Sequence, residues 1–174
     1  MKPTVREAKQ ADAREIYRIA RESWHSAYDE ILGTETVEDV VEEWYDLDSL
    51  EGSITNAAER DDAVFLVGEA PDGYGTALVG FAHAGPFPER EGVAELVRIY
   101  VRPEAWGEGA GRTLLGQLES ALEPSYDRLR LSVLADNDVG VSFYESTGFE
   151  RVDSRESDLG DSLEAYVYEK VLGK

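Results

Sequence analysis

The chain contains no cysteine, which rules out disulfides, thiol nucleophiles and thiolate-held zinc. Its two histidines, His25 and His83, stand far apart in the sequence. A conventional metal site is therefore not expected, and neither is a Ser-His-Asp triad. Cationic side chains are scarce: 17 Lys and Arg face 37 Asp and Glu for a net charge of −20, with Lys only at positions 2, 9, 170 and 174. A field of that sign repels phosphate backbones and anionic headgroups, so neither nucleic acid nor a membrane surface is an expected partner. The acids are spread along the whole chain and the bases are mostly Arg. That distribution reads as halophilic adaptation to a salty cytoplasm more than as a site for a cationic ligand. No apolar run approaches the ~18 residues of a membrane span, and the first residues lack the apolar stretch of a signal peptide. A cytoplasmic location is expected.

What is present is material for a core: 42% of the 174 residues are hydrophobic and 10% aromatic. A chain of this length buries roughly 70% of its unfolded surface, so residues 1–174 are expected to form one domain. No repeat or long linker interrupts it. Thr4–Ala8 reads as a strand. From Asp12, a candidate N-cap, Ile16, Ile19, Ala20, Ser23 and Ala27 share one helical face, with Tyr17, Trp24 and Tyr28 as a second stripe. A further helix is predicted over Val37–Tyr45. Val64–Gly68 and Ala77–Ala84 flank the turn Pro71-Asp72-Gly73 as a hairpin, and Val93–Val101 follows as a strand closed by Pro103. Ala110, Leu114, Leu115, Leu118 and Leu122 form a helical stripe ended by Pro124. Leu129–Val133 alternates as a strand, Asp136-Asn137-Asp138 can cap a short helix through Glu145, and Phe149–Arg155 and Leu163–Leu172 close the chain as strands. His25 is expected to be exposed, and His83, inside an apolar strand, to be a satisfied core or groove residue.

The most informative stretch runs from Ile99-Tyr100-Val101 through Trp106-Gly107-Glu108-Gly109-Ala110-Gly111-Arg112-Thr113, where a strand feeds a Gly-rich turn that opens an amphipathic helix. Glycines let backbone N–H groups turn inward, and a helix N-terminus offers free amides and a favourable dipole, so the segment suits an anion. It is not a Walker loop, which would need Gly at Trp106 and Lys after Gly111. Nor is it a dinucleotide fingerprint, which would need Gly at Arg112. Further on, Asn137-Asp138-Val139-Gly140-Val141-Ser142-Phe143-Tyr144-Glu145-Ser146-Thr147-Gly148-Phe149 joins a capping Asn to an aromatic pair and a terminal Gly-Phe.

These two segments resemble motifs A (R/Q-x-x-G-x-G/A) and B (N-x-x-A/G-x-x-F-Y-x-x-x-G-F) of the GCN5-related N-acetyltransferase (GNAT) superfamily, here with a haloarchaeal-like acidic composition. The resemblance covers essentially the whole element order. It implies an α/β fold with a central mixed, mostly antiparallel sheet of about seven strands and about four flanking helices. It also implies acetyl-CoA as co-substrate and no metal. Cofactor contacts would come from Gly107 to Thr113, with Trp106 standing where the family usually has Arg or Gln. The pantetheine arm would lie beside Ile99, Tyr100 and Val101, and Asn137 would face the cofactor. Tyr144 matches the position of the general acid, a phenol of reference pKa ~10 able to protonate the departing thiolate. Glu95, eleven residues before Trp106, stands at the offset of the general base in the histone acetyltransferase branch. The ribosomal-protein branch would place its base where this chain has Ser132.

The segment around Trp24 and Tyr28 resembles the first-helix region that lines the acceptor groove in small-molecule members, where aromatic walls can hold a cationic amine. The expected activity is transfer of an acetyl group to a primary amine of a small molecule or protein by direct attack. The alternative is a non-catalytic acyl-CoA-binding or sensing module. Acceptor identity, acyl length and homodimer formation stay open at this level.

Overall fold

Successive residues of a strand point to opposite faces, so β-runs apolar on both faces call for helices on both sides of a sheet. The computed structural model describes residues 3–71, 73–157 and 163–173. The chain runs β1 (Thr4–Glu7), α1 (Ala13–Leu32), α2 (Thr34–Trp44), α3 (Leu47–Glu59), β2 (Val64–Pro71), β3 (Thr76–Pro86), β4 (Val93–Val101), α4 (Ala110–Leu122), β5 (Arg128–Leu134), α5 (Asp138–Ser146), β6 (Glu150–Glu156) and β7 (Glu164–Val171). The seven strands form one sheet ordered β1-β2-β3-β4-β5-β7-β6. Only the β4–β5 junction is parallel. This is the mixed, mostly antiparallel sheet expected. Of the predicted hairpin turn, Asp72 lies outside the described residues.

Alternation along β2 and β3 divides the core. Phe65, Val67 and Phe81 face α1, α2 and α3, where they meet Ile16, Ile19, Val41 and Leu50. Leu66, Ala82 and Ala84 face α4 and pack on Leu114, Leu118 and Leu122, the stripe read from the sequence. Each fully buried Leu contributes roughly 1.5–3 kcal/mol through removal from water.

Several local expectations need correction. The helix α3 was not foreseen, because its segment is rich in Asp, Ser, Gly and Thr. It forms because the Asp46 carboxylate accepts from Ser49 N at 3.2 Å and because Leu50, Ile54 and Ala57 line up as a buried face. Asp12 precedes α1 but does not cap it with its side chain; its carboxylate pairs with Arg6 at 2.8 Å and accepts from Lys9 N. His25 is not exposed: its two ring nitrogens lie 2.6 Å from Asp29 and 2.6 Å from Glu38, joining α1 to α2. These carboxylates raise its pKa above the ordinary value. His83 is stacked on Phe65 with centroids 4.8 Å apart. It is not satisfied, since its Nδ1 is buried with no hydrogen-bond partner among the described residues. Burial, with Arg98 nearby, lowers its pKa to about 4.

Candidate active site

β4 and β5 pair only through Val93–Arg128, Ala94–Leu129 and Glu95–Arg130. Beyond that point β4 continues along β3 to Val101 while β5 continues along β7 to Leu134. The twist of the sheet thus opens a wedge in its middle. Register also slips between β3 and β4: His83 faces Arg98 and Ala84 faces Leu96, leaving Val97 without an opposite residue where the strands part. A bulged residue drops out of the ladder and re-aims the chain. The wedge holds a cavity of about 310 Å³ lined by Ile99, Tyr100 and Val101 of β4 and by Leu131 and Val133 of β5.

The Gly-rich turn closes one end of this cavity, with Trp106, Gly107, Gly109, Ala110, Gly111 and Arg112 in its wall. Gly107 and Gly109 hold φ values of +82° and +90°, a region that side chains with Cβ avoid. The first ladder bond of α4 is Thr113 N to Gly109 O at 3.0 Å, so the amides before it have no intrahelical acceptor. Trp106 turns its indole N–H back to Val101 O at 2.8 Å, and Ser23 Oγ donates to the same carbonyl at 3.1 Å. The indole thereby ties the turn to the end of β4, which there pairs with β3 but no longer with β5. Although the chain carries a charge of −20, no Asp or Glu is among the described residues lining this cavity, whereas Arg98 and Arg112 are. A carboxylate-free cleft ending on free amides suits a ligand that carries an anionic group at that end.

From the opposite wall, α5 brings Asn137, Phe143 and Tyr144. Asn137 Oδ1 caps the helix by accepting from Gly140 N at 3.0 Å, and its Nδ2 donates to Tyr28 Oη at 2.9 Å. Tyr144 packs among Phe143, Phe149 and Tyr168, and its hydroxyl makes no hydrogen bond with any described residue. Burial, with Tyr28 and Tyr45 nearby, pushes its pKa well above the usual tyrosine range, so the phenol stays protonated at neutral pH. Both Phe143 and Tyr144 line the cavity although adjacent, Phe143 against Gly111 and Tyr144 beside Phe149 and Tyr168.

A second cavity of about 390 Å³ lies on the α1–α2 side, walled by Trp24, Trp44 and Tyr45 and bearing Arg98, Arg155 and Glu156. Trp24 meets Tyr28 at 4.5 Å and Trp44 at 5.7 Å between centroids. The two cavities share Tyr28, Val97, Arg98, Tyr100, Ser132 and Val133. They therefore adjoin around the bulge, with these six residues bordering both spaces.

The fold brings together Trp24, Tyr28, Ile99, Tyr100, Val101, Trp106, Gly107, Gly109, Ala110, Gly111, Arg112, Asn137 and Tyr144 around these two spaces. Three predicted residues line neither: Glu95, Glu108 and Thr113. The Thr113 hydroxyl is engaged by Gly109 O at 3.0 Å. Glu95 is half-buried in the paired stretch of β4. Desolvation raises its carboxyl pKa despite Arg130 and Arg155 nearby. The sequence reading missed Trp44, Tyr45, Val97, Arg98 and Arg155. Arg98 had a visible signal, a cation between Val97 and Ile99 in a strand whose one other charge is Glu95; the bulge at Val97 had none.

A parted β4–β5 pair over a Gly-rich helix end defines a protein built to receive an anionic ligand between its central strands. Residues 13–149 match the model of the Acetyltransferase (GNAT) family, and the chain belongs to that family. A spermidine N(1)-acetyltransferase of Thermoplasma acidophilum is 31% identical over 156 residues, 89% of this chain and 92% of that protein. The crystal structure of the PaiA N-acetyltransferase from Thermoplasma acidophilum in complex with coenzyme A superposes with a TM-score of 0.83 at 29% identity, covering 98% of this chain and 99% of that one. A ribosomal-protein-alanine N-acetyltransferase from Brucella melitensis superposes with a TM-score of 0.73 at 27% identity, covering 97% and 99%. The chain is an N-acetyltransferase that uses acetyl-CoA, as the sequence motifs implied. No group of residues able to hold a metal ion occurs among the described residues, and no described helix is long and apolar enough to cross a membrane.

Proposed function

We propose that the protein acetylates a primary amine of a small molecule or a peptide by direct attack on acetyl-CoA, without an acyl-enzyme. The observation that carries this reading is the adjacency of two cavities that share Val97 in their walls, one suited to an anionic acyl carrier and the other available to an acceptor. When bound, acetyl-CoA supplies an activated acetyl thioester. The amides of Gly107 and of Gly109 to Arg112, with the Arg112 guanidinium, would hold its phosphates. The backbone beside the bulge would polarise the thioester carbonyl, a preorganised donor being most effective where water is excluded. Glu95, whose carboxyl pKa is raised by burial, would take the amine proton through water. The N–C bond forms as the C–S bond breaks, and Tyr144 would give its proton to the departing sulfur.

Incubation of the purified protein with acetyl-CoA and a panel of amines in high salt, following thiol release and acetylated product by mass spectrometry, tests the reading. Product from at least one amine is expected. Tight coenzyme binding with no product from any amine would favour a sensing module instead. The spermidine named for the Thermoplasma acidophilum relative belongs in the panel as one candidate acceptor.

A further inference from the structure

The acceptor-side cavity carries an unusual charge for this chain. Arg98 lies with its guanidinium carbon 5.0 Å from the Tyr45 ring centroid and donates one long bond, Nη2 to Trp44 O at 3.4 Å. Its Nη1 is buried with no hydrogen-bond partner among the described residues. Arg155 donates to Ser132 Oγ at 3.2 Å, and Ser132 lines both cavities. Neither arginine takes part in an ion pair among the described residues, whereas Arg6, Arg90, Arg102 and Arg130 all do. Acids outnumber bases 37 to 17 in the chain, yet no carboxylate of the described residues pairs directly with either guanidinium, Glu95 acting on Arg155 only at longer range. Glu156 is the one acid in that wall among the described residues.

A half-buried guanidinium with an open donor is costly until an anion accepts from it, and a carboxylate matches its planar fork. Two guanidiniums beside an aromatic wall would also repel the second and third ammonium groups of a polyamine. We propose that the acceptor is an amine that also bears a carboxylate, a free amino acid, with the carboxylate received by Arg98 and Arg155 while the amine rests at the Val97 bulge. This rests on the transferase reading above and narrows its substrate class.

The test compares lysine, ornithine and phenylalanine with their decarboxylated counterparts cadaverine, putrescine and phenethylamine, and with spermidine. Two readouts are taken: thiol release from acetyl-CoA, and quenching of Trp24 and Trp44 fluorescence, which reports binding without turnover. The carboxylate-bearing member of at least one pair is expected to exceed its counterpart in kcat/KM and in affinity by about ten- to a hundredfold, the range of a charge-assisted contact. Arg155→Gln, at an exposed position, and Arg98→Lys, which keeps the charge but loses the fork, are each expected to shrink that ratio. Equal or better use of the decarboxylated amines or spermidine, a ratio unchanged in both variants, or no binding of any carboxylate-bearing amine overturns the proposal. Selective binding of the carboxylate-bearing amines with no thiol release from any amine upholds it and instead removes the transferase reading.

Discussion

Asn137 Nδ2 lies 2.9 Å from Tyr28 Oη, a bond between residues on opposite walls of the central cleft that no local pattern in the sequence connects. The same Asn caps α5 through Oδ1, so one side chain both starts a helix and fastens it to α1. Burial lifts the Tyr28 pKa to about 12 even though this bond pulls it down, so the hydroxyl is neutral and the contact is a neutral hydrogen bond. Asn137→Ala removes cap and bridge together and is expected to lower stability by about 1–2 kcal/mol in urea unfolding. Tyr28→Phe removes only the bridge and should cost less. Equal losses would show that the cap contributes nothing.

Tyr144 faces the cleft with a hydroxyl that bonds to no described residue, and its proton is held firmly at neutral pH. Tyr144→Phe is expected to reduce kcat about a hundredfold, at the lower end of general acid catalysis, with little change in coenzyme A affinity. Steady-state kinetics together with calorimetry separates the two. Unaltered turnover removes the residue from the mechanism.

Glu95 is expected to act through water, since it lines neither cavity. Glu95→Gln should flatten the acidic limb of the kcat/KM profile. Because burial raises its pKa, that limb in the unaltered protein should lie above the ordinary carboxylate range of ~4.3. A variant that keeps the limb would assign it elsewhere.

Gly109 sits at φ +90° with open space around it, so an added methyl strains the backbone without a clash. Gly109→Ala is expected to destabilise by about 1–2 kcal/mol and to weaken coenzyme A binding about tenfold. Gly116→Ala, in the interior of α4 with nothing within 4 Å, serves as the control. It should stabilise by about 0.5–1 kcal/mol and leave that affinity unchanged. Calorimetry and thermal unfolding report both.

The two histidines should bend the pH–stability curve in opposite senses. His25, raised by Glu38 and Asp29, contributes stability fully below its unfolded pKa of ~6.5 that is lost as pH climbs through the higher folded value. A neutral ring can donate to only one of its two carboxylates. His83, lowered to about 4, penalises the fold as pH drops from ~6.5 toward that value, because only the unfolded chain then takes up the proton. His25→Gln should flatten the fall of Tm above neutrality, and His83→Phe the fall on the acid side. Melting curves across pH decide each.

Much of this architecture was legible beforehand. β4 runs over Val93–Val101 as predicted, because β-branched residues bounded by Gly92 and Pro103 leave little ambiguity. The α4 stripe and the Gly-rich turn were equally plain, since 3.6-residue periodicity and positive-φ glycines leave direct marks in sequence. Helix α3 was overlooked because its polar residues mask three buried positions, Leu50, Ile54 and Ala57. Trp44, Tyr45 and Arg155 could not be assigned to one groove with Trp24, because they reach it from separate elements.

Local order therefore belonged to the sequence alone: which stretches become strand or helix, where an anion-receptive turn falls, and which Asn caps α5. Those follow from backbone sterics and the period of apolar residues. The parting of β4 from β5, the bulge at Val97 and the unpaired charge of Arg98 emerged only in the folded chain. Each depends on how one strand's register meets its neighbours, a relation that no single segment contains.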